Sequence, residues 1–213
     1  LDGSPLEEEV EILRENIKQS KRILFDGNGY SQIWEKEAKE RGLSNNKNTP
    51  DALKVKITPK TIALYKALGV MNKTEIEARY EIEIEDYINR IQIEGRVLGD
   101  IARNHVVPTA VNYQNVLIDN VCGLKNIYGN EFKKYAKEQL ILISDISKYI
   151  EMINSGVTNM INERKKANKI SKSIKKAEVY CNKVLPLFND IRNGCDKLEL
   201  LIDDELWPLT KYR

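Results

Sequence analysis

From Ile76 onward the chain places apolar residues at three- and four-residue steps, and no other feature limits its fold so tightly. Ile76, Tyr80, Ile84, Tyr87, Ile91, Leu98 and Ile101 make the first run, and Ala110, Tyr113, Leu117, Val121, Leu124 and Tyr128 prolong it. A spacing of this kind matches the 3.6-residue period of an α-helix with one buried face. Glu81-Ile82-Glu83-Ile84-Glu85 also alternates like a strand, but the helical stripe passes straight through it and no turn residue interrupts it. Ile82, Ile88, Ile93 and Val97 add a second apolar face, which predicts neighbours on both sides of the helix. Pro108 lacks a backbone donor and predicts a kink within the same rod.

Tyr128-Gly129-Asn130 reads as a turn. Phe132, Ala136, Leu140, Ile143, Ile150, Ile153, Val157 and Ile161 then define a second long helix. After a break near Ala167-Asn168, a third carries Ile170, Ile174, Ala177, Cys181, Leu185, Phe188, Ile191, Cys195, Leu198 and Ile202, with Pro186 as a second internal kink. At about 35 residues each, these last two helices are roughly 50 Å long. Long antiparallel helices joined by short turns form a bundle. The expected fold is therefore all-α, with short helices over residues 1–70 followed by a bundle of three long antiparallel helices over 71–213.

The first 70 residues are punctuated differently. Ser4-Pro5 with Glu7 reads as a capping box opening a helix that runs to about Ser20. Asp26-Gly27-Asn28-Gly29 is a strong turn signal, Ser31 can cap a short helix, and Gly42 can end it in a left-handed conformation. Residues 43–58 are polar and loop-like. Thr49-Pro50 and Thr58-Pro59 each read as a helix start, and the second of these helices closes at Gly69.

Charged residues at 31% and aromatics at 7% suit solvated helices better than a sandwich of sheets. A net charge of +2 gives no strong bulk field toward nucleic acid or membrane. No apolar run approaches the ~18 residues of a membrane span, and no secretory leader pattern is present. Cys122, Cys181 and Cys195 are scattered and odd in number, as expected of thiols in a reducing compartment, so the cytoplasm is the expected location. The start at Leu1 and the end at Arg213 read like a piece of something longer.

Motifs with chemical potential are sparse. Asp26, Asn28 and Glu37 stand at the first, third and twelfth positions of a calcium loop, but Tyr30 and Ser31 occupy the fifth-ligand and glycine positions. Gly27-Asn28-Gly29 lacks the further glycines, or the Gly-Lys-Ser/Thr ending, of a phosphate loop. His105 is the single histidine, with no cysteine pair to complete a metal site. Cys122 would stand about 25 Å away along a helix, too far for a nucleophile pair, so His105 is expected hydrogen-bonded in or near the core. The basic stretch Arg164, Lys165, Lys166, Lys169, Lys172, Lys175 and Lys176 lacks aromatics for base stacking and reads as a solvated bundle tip, with no nucleic acid and no membrane as partner.

One polar constellation stands out. Arg96, Asp100, Arg103 and Asn104 share one side of the long helix, next to His105, with Gly95 and Gly99 beside them. An exposed ion-pair ladder is one reading. A partly buried network that fixes a domain or subunit contact, with the glycines admitting another backbone, is the other. The second predicts that Asp100→Ala costs roughly 3–5 kcal/mol, the first at most about 0.5 kcal/mol per pair. The cluster is expected to be structural, holding the helix against another element, and no catalytic, cofactor-binding or metal-ligating residue is assigned.

The segment Ile91-Gln-Ile-Glu-Gly-Arg-Val-Leu-Gly-Asp-Ile-Ala-Arg-Asn-His-Val-Val-Pro-Thr-Ala-Val, continuing to Tyr113-Gln114-Asn115, resembles the helical C-terminal region of type III glutamine synthetases. Asp26 to Ser31 with Trp34 and Arg41-Gly42-Leu43 resembles the stretch just after that family's catalytic core. Cys195 to Glu199 and Asp203 to Leu209 resemble its end, so the likeness covers nearly the whole chain in order. Gly95 departs from an expected serine and Thr210 from an expected proline. The resemblance implies a non-catalytic, structural or subunit-contact part of an enzyme that joins ammonia to glutamate. That parent would use ATP and magnesium, carry its catalytic domain upstream in the same chain, and assemble as a double-ringed homo-oligomer. The segment itself is expected to be inactive and to hold no cofactor. The rival reading is a stand-alone helical module, an adaptor or nucleic-acid binder, which would have no ligase domain encoded before Leu1.

Overall fold

The computed structural model describes residues 5–211. Among them are helices and connecting turns, with no strand, and the alternating Glu81–Glu85 segment is helical. The chain divides into two compact units after Lys47, earlier than the boundary near residue 70 expected from the punctuation.

The first unit contains α1 (Pro5–Ser20) and α2 (Gln32–Glu40). The expected capping residue Ser4 lies outside the described residues. Ser31 caps α2 by accepting the Trp34 N–H at 3.2 Å. Gly42 follows the helix at φ +71°, a left-handed conformation that costs a glycine little. Asn28 Oδ1 accepts the Tyr30 N–H at 2.9 Å, so the glycine-flanked loop is an Asx-type turn. Phe25 packs on Trp34, with ring centroids 4.8 Å apart, and Arg41 donates to both the Leu24 carbonyl and Glu37.

The second unit opens with α3 (Thr49–Lys54), capped by Asn48, and α4 (Pro59–Ala67), capped by Thr58. Both carry proline in the first turn, where a missing N–H costs nothing. These short helices belong with the long ones because α3 and the 3₁₀ turn after it pack on them through Leu53 and Ile57. Lys54 bridges Asp51 at 2.9 Å and Glu178 at 2.7 Å, and Lys56 pairs with Glu83 at 2.5 Å. Contacts of this kind depend on tertiary register, which local punctuation does not report.

The first long rod comprises α5 (Lys73–Ile101), a π-helical turn over Ala102–Val106, and α6 (Val107–Tyr128). Asn72 and Glu75 form a reciprocal capping box at its start. Gly129, at φ +54°, turns the chain into α7 (Phe132–Tyr135) and α8 (Lys137–Asn168). The last rod comprises α9 (Ser173–Val179), a second π-turn over Tyr180–Val184, and α10 (Pro186–Leu201). Each π-turn directly precedes a proline-bearing first turn, Pro108 in one rod and Pro186 in the other. Proline removes one N–H and crowds the carbonyl four residues back. The wider turn accommodates this: Val107 N–H reaches the Ala102 carbonyl and Leu185 N–H the Tyr180 carbonyl, the latter at 2.9 Å. Both rods continue helically through their prolines.

The densest packing joins α8 to α10. A Cβ built on Gly156 would lie 2.9 Å from Ile191 Cγ1, and one on Gly194 would lie 2.8 Å from Ile153 Cγ1. Each isoleucine thus fills the space left by a glycine on the facing helix. Tyr180, fully buried, lies within hydrogen-bonding distance of Gln92 on α5 at 2.9 Å and Asn168 at the end of α8 at 2.8 Å. Its single hydroxyl proton goes to one amide oxygen, while the other amide can donate to the hydroxyl. One phenol therefore ties all three rods. Beyond α10, Trp207 folds back into the core, and Lys211 donates to the Glu199 carbonyl at 2.8 Å.

The second apolar face expected on α5 divides. Ile88 is buried, but Ile82, Ile93 and Val97 are 65%, 61% and 51% exposed.

Two substitutions of the same kind should have opposite signs. Gly194→Ala should lower stability in urea denaturation by about 1 kcal/mol, because overpacking at ~1–3 kcal/mol exceeds the helix-propensity gain of ~1 kcal/mol. Gly123→Ala, in open space within α6, should raise it by about 0.5–1 kcal/mol. Stabilisation by both would show that the glycine–isoleucine packing is soft.

Candidate functional site

The helical stretch expected to carry a polar cluster borders a cleft of about 250 Å³ between the end of α5 and the C-terminal half of α8. Gly95 and Gly99 form part of its floor, with Val157, Met160 and Ile161 from α8. Their missing side chains make room for other side chains, contrary to the expected approach of a backbone. A Cβ on Gly95 would meet the Phe188 ring at 3.1 Å, and one on Gly99 would meet Met160 Cε at 3.2 Å. Arg96, Asp100, Arg103 and Asn104 line one side, and Arg164 of α8 lines the other.

The expected cluster is only partly one network. Arg103, half-buried, donates from Nη2 to the Asn154 carbonyl at 2.9 Å and to Thr158 Oγ1 at 2.5 Å, clamping the π-turn onto α8. Its Nε is buried without a partner among the described residues. Asp100 and Asn104 are exposed and bond to each other one turn apart, as a ladder would. Arg96 is exposed as well. His105 is exposed, not in or near the core; its carbonyl accepts from Thr109 Oγ1 at 2.9 Å. Arg96, Asp100, Arg103 and Asn104 do share one face and line the cleft together, whereas His105 lies one residue further round the helix, outside it.

Two contributions were invisible in the sequence. Arg164 sat in a basic stretch read as solvated, and only the antiparallel register of α8 brings it opposite Arg96. Gln114 donates to the Ile143 carbonyl at 2.8 Å and to Ser147 Oγ at 2.7 Å, a second polar tie between the first rod and α8. Its place in the family-like segment was the available signal.

Elsewhere, Glu178 and Asp51 raise the Lys54 ammonium above the usual lysine range. Burial, helped by Asp196, pushes the Cys195 thiol up to about 11. Burial raises the Tyr180 phenol, while Arg164, Asn168 and Arg96 oppose that shift. The described residues contain no group of three or more His, Cys, Asp or Glu that could hold a metal ion, and no helix long and apolar enough to cross a membrane.

Three tests follow from this geometry. Asp100→Ala should change stability by at most about 0.5 kcal/mol, as expected for an exposed pair. Arg103→Ala should cost about 1–2 kcal/mol through its lost bonds to α8, measured by the same unfolding curves. At pH 8, iodoacetamide should modify exposed Cys122 well before Cys195, whose thiolate fraction is about one in a thousand. Mass mapping that finds Cys195 modified first would contradict its burial.

Comparison with known proteins gives concordant matches. Residues 9–125 match the family described as glutamine synthetase C-terminal domain. A glutamine synthetase of Bacteroides fragilis is 42% identical over 95% of the chain, and one of Butyrivibrio fibrisolvens is 29% identical over 99%. A type-3 glutamine synthetase of Dictyostelium discoideum is 27% identical over 94%. The chain spans 28%, 30% and 28% of the lengths of these relatives.

Proposed function

The chain belongs to the glutamine synthetase C-terminal domain family, and from that premise we propose that it is a non-catalytic architectural part of a longer glutamate–ammonia ligase. The observation that carries this reading is the match to a C-terminal domain in relatives more than three times the chain's length. Glutamine formation from glutamate, ammonia and ATP, with magnesium, then belongs to a catalytic domain upstream in the same polypeptide. The helical rods shape the subunit and its contacts in a homo-oligomer, a double ring by analogy with the type III enzymes. Exposed Ile82, Ile93 and Val97 support a contact role, since an apolar row along a rigid helix suits a surface that another protein element covers. The scattered free thiols fit work in the cytoplasm.

Expressed alone, the chain should form no glutamine and should not bind Mg-ATP at micromolar concentration in a calorimetric titration. Tight Mg-ATP binding by the chain alone would overturn the reading, as would a reading frame with no ligase domain before Leu1. In the longer polypeptide, Ile93→Asp with Val97→Asp should reduce assembly, read by light scattering, while leaving the helical circular dichroism of the chain unchanged.

A further inference from the structure

We propose that the cleft between α5 and α8 binds a small polyvalent anion, a phosphate ester or a compact di- or tricarboxylate, through Arg96, Arg103 and Arg164. The inference stands on the cleft itself and is independent of the ligase reading.

Three guanidinium groups border one concavity against a single carboxylate, Asp100, which already bonds Asn104. Arg96 and Arg164 make no hydrogen bond or ion pair among the described residues. Comparable cations elsewhere do find carboxylates: Lys54 with Glu178, Lys56 with Glu83, Arg90 with Asp86 and Lys166 with Glu163. Arg103 is held in place by Asn154 and Thr158, yet its Nε remains buried and unpartnered. Bringing like charges together without compensation is unfavourable, and an anion that pairs with them removes that cost. Guanidinium forks suit the flat oxygen pairs of carboxylates and phosphates.

Shape narrows the ligand class. A volume of about 250 Å³ lies just below the range typical of small-molecule pockets, so it admits a phosphate or a compact organic acid rather than a folded segment. Met160 and Val157, seated against Gly95 and Gly99, give an apolar floor for a short carbon skeleton. Asp100 works against binding and favours ligands with more than one negative charge.

The test is isothermal titration of the protein with inorganic phosphate and, separately, citrate, at constant ionic strength with sodium chloride as control. Saturable binding of at least one anion is expected, and which binds tighter separates the phosphate from the carboxylate source. Arg96→Gln with Arg164→Gln should weaken it at least about tenfold, and since neither arginine makes a hydrogen bond or ion pair among the described residues the fold should persist by circular dichroism. Asp100→Asn should tighten binding severalfold, and this arm decides if the double variant fails to fold. Heat no different from chloride, or affinity unchanged in the double variant and in Asp100→Asn, would overturn the proposal.

Discussion

The reciprocal seating of Ile191 against Gly156 and Ile153 against Gly194 sets the spacing on which the rest of the long-helix unit depends. Without a Cβ at either glycine, α8 and α10 approach until the isoleucine stems touch the opposing helix. Backbone atoms then lie near as well, with Ile191 N 3.9 Å and Tyr149 O 3.7 Å from the positions a Cβ would occupy. Such a contact has little tolerance, because packed interiors cannot absorb even one added methyl without strain. It also fixes register. A slide of α10 along α8 by one residue would bring an isoleucine against a side chain instead of a glycine.

Once α8 and α10 are fixed, the polar ties can be made with short geometry. Tyr180 meets Gln92 and Asn168 only if the last rod has the correct height against both others. Its position at the start of a π-turn matters too. The inserted residue rotates every following side chain relative to an ideal helix, so Tyr180 at the start of the turn and Val184, Leu185 and Phe188 at and beyond its end can all face inward. The two π-turns therefore reconcile prolines with continuous rods and also adjust which residues reach the core.

Much of this was legible in the sequence. Helix existence followed from the apolar stripe, and the caps at Ser31 and Thr58 and the left-handed Gly42 and Gly69 followed from side-chain chemistry that acts within four residues. What failed to be legible acts between helices. Gly156 and Gly194 resemble any helical glycine until the facing isoleucine is known. His105 was expected in or near the core because metal and nucleophile roles lacked partners, and that elimination carries no information about which way the residue faces. Ile82, Ile93 and Val97 read as buried because apolar character says that a surface favours cover, not whether this chain supplies it. Arg96, Asp100, Arg103 and Asn104 read equally as an exposed ladder or a partly buried network, and only the observed exposure separates the Asp100–Asn104 pair from the clamp at Arg103.

The two glycine pairs show how one residue type produces different outcomes. Gly156 and Gly194 face β-branched isoleucines whose Cγ1 atoms sit close to their own backbone, so the gap closes and the helices lock. Gly95 and Gly99 face the edge of the Phe188 ring, the end of the flexible Met160 side chain and Val157 Cγ1. There too the glycines are closely covered, and the concavity lies beside them. The arginines at 96, 103 and 164 stand around that concavity because the locked pair of helices keeps α8 at a fixed register. The positively lined cleft thus borders the same face of α8 that carries the locked contacts, since Ile153, Gly156, Val157 and Met160 follow one another at three- and four-residue steps.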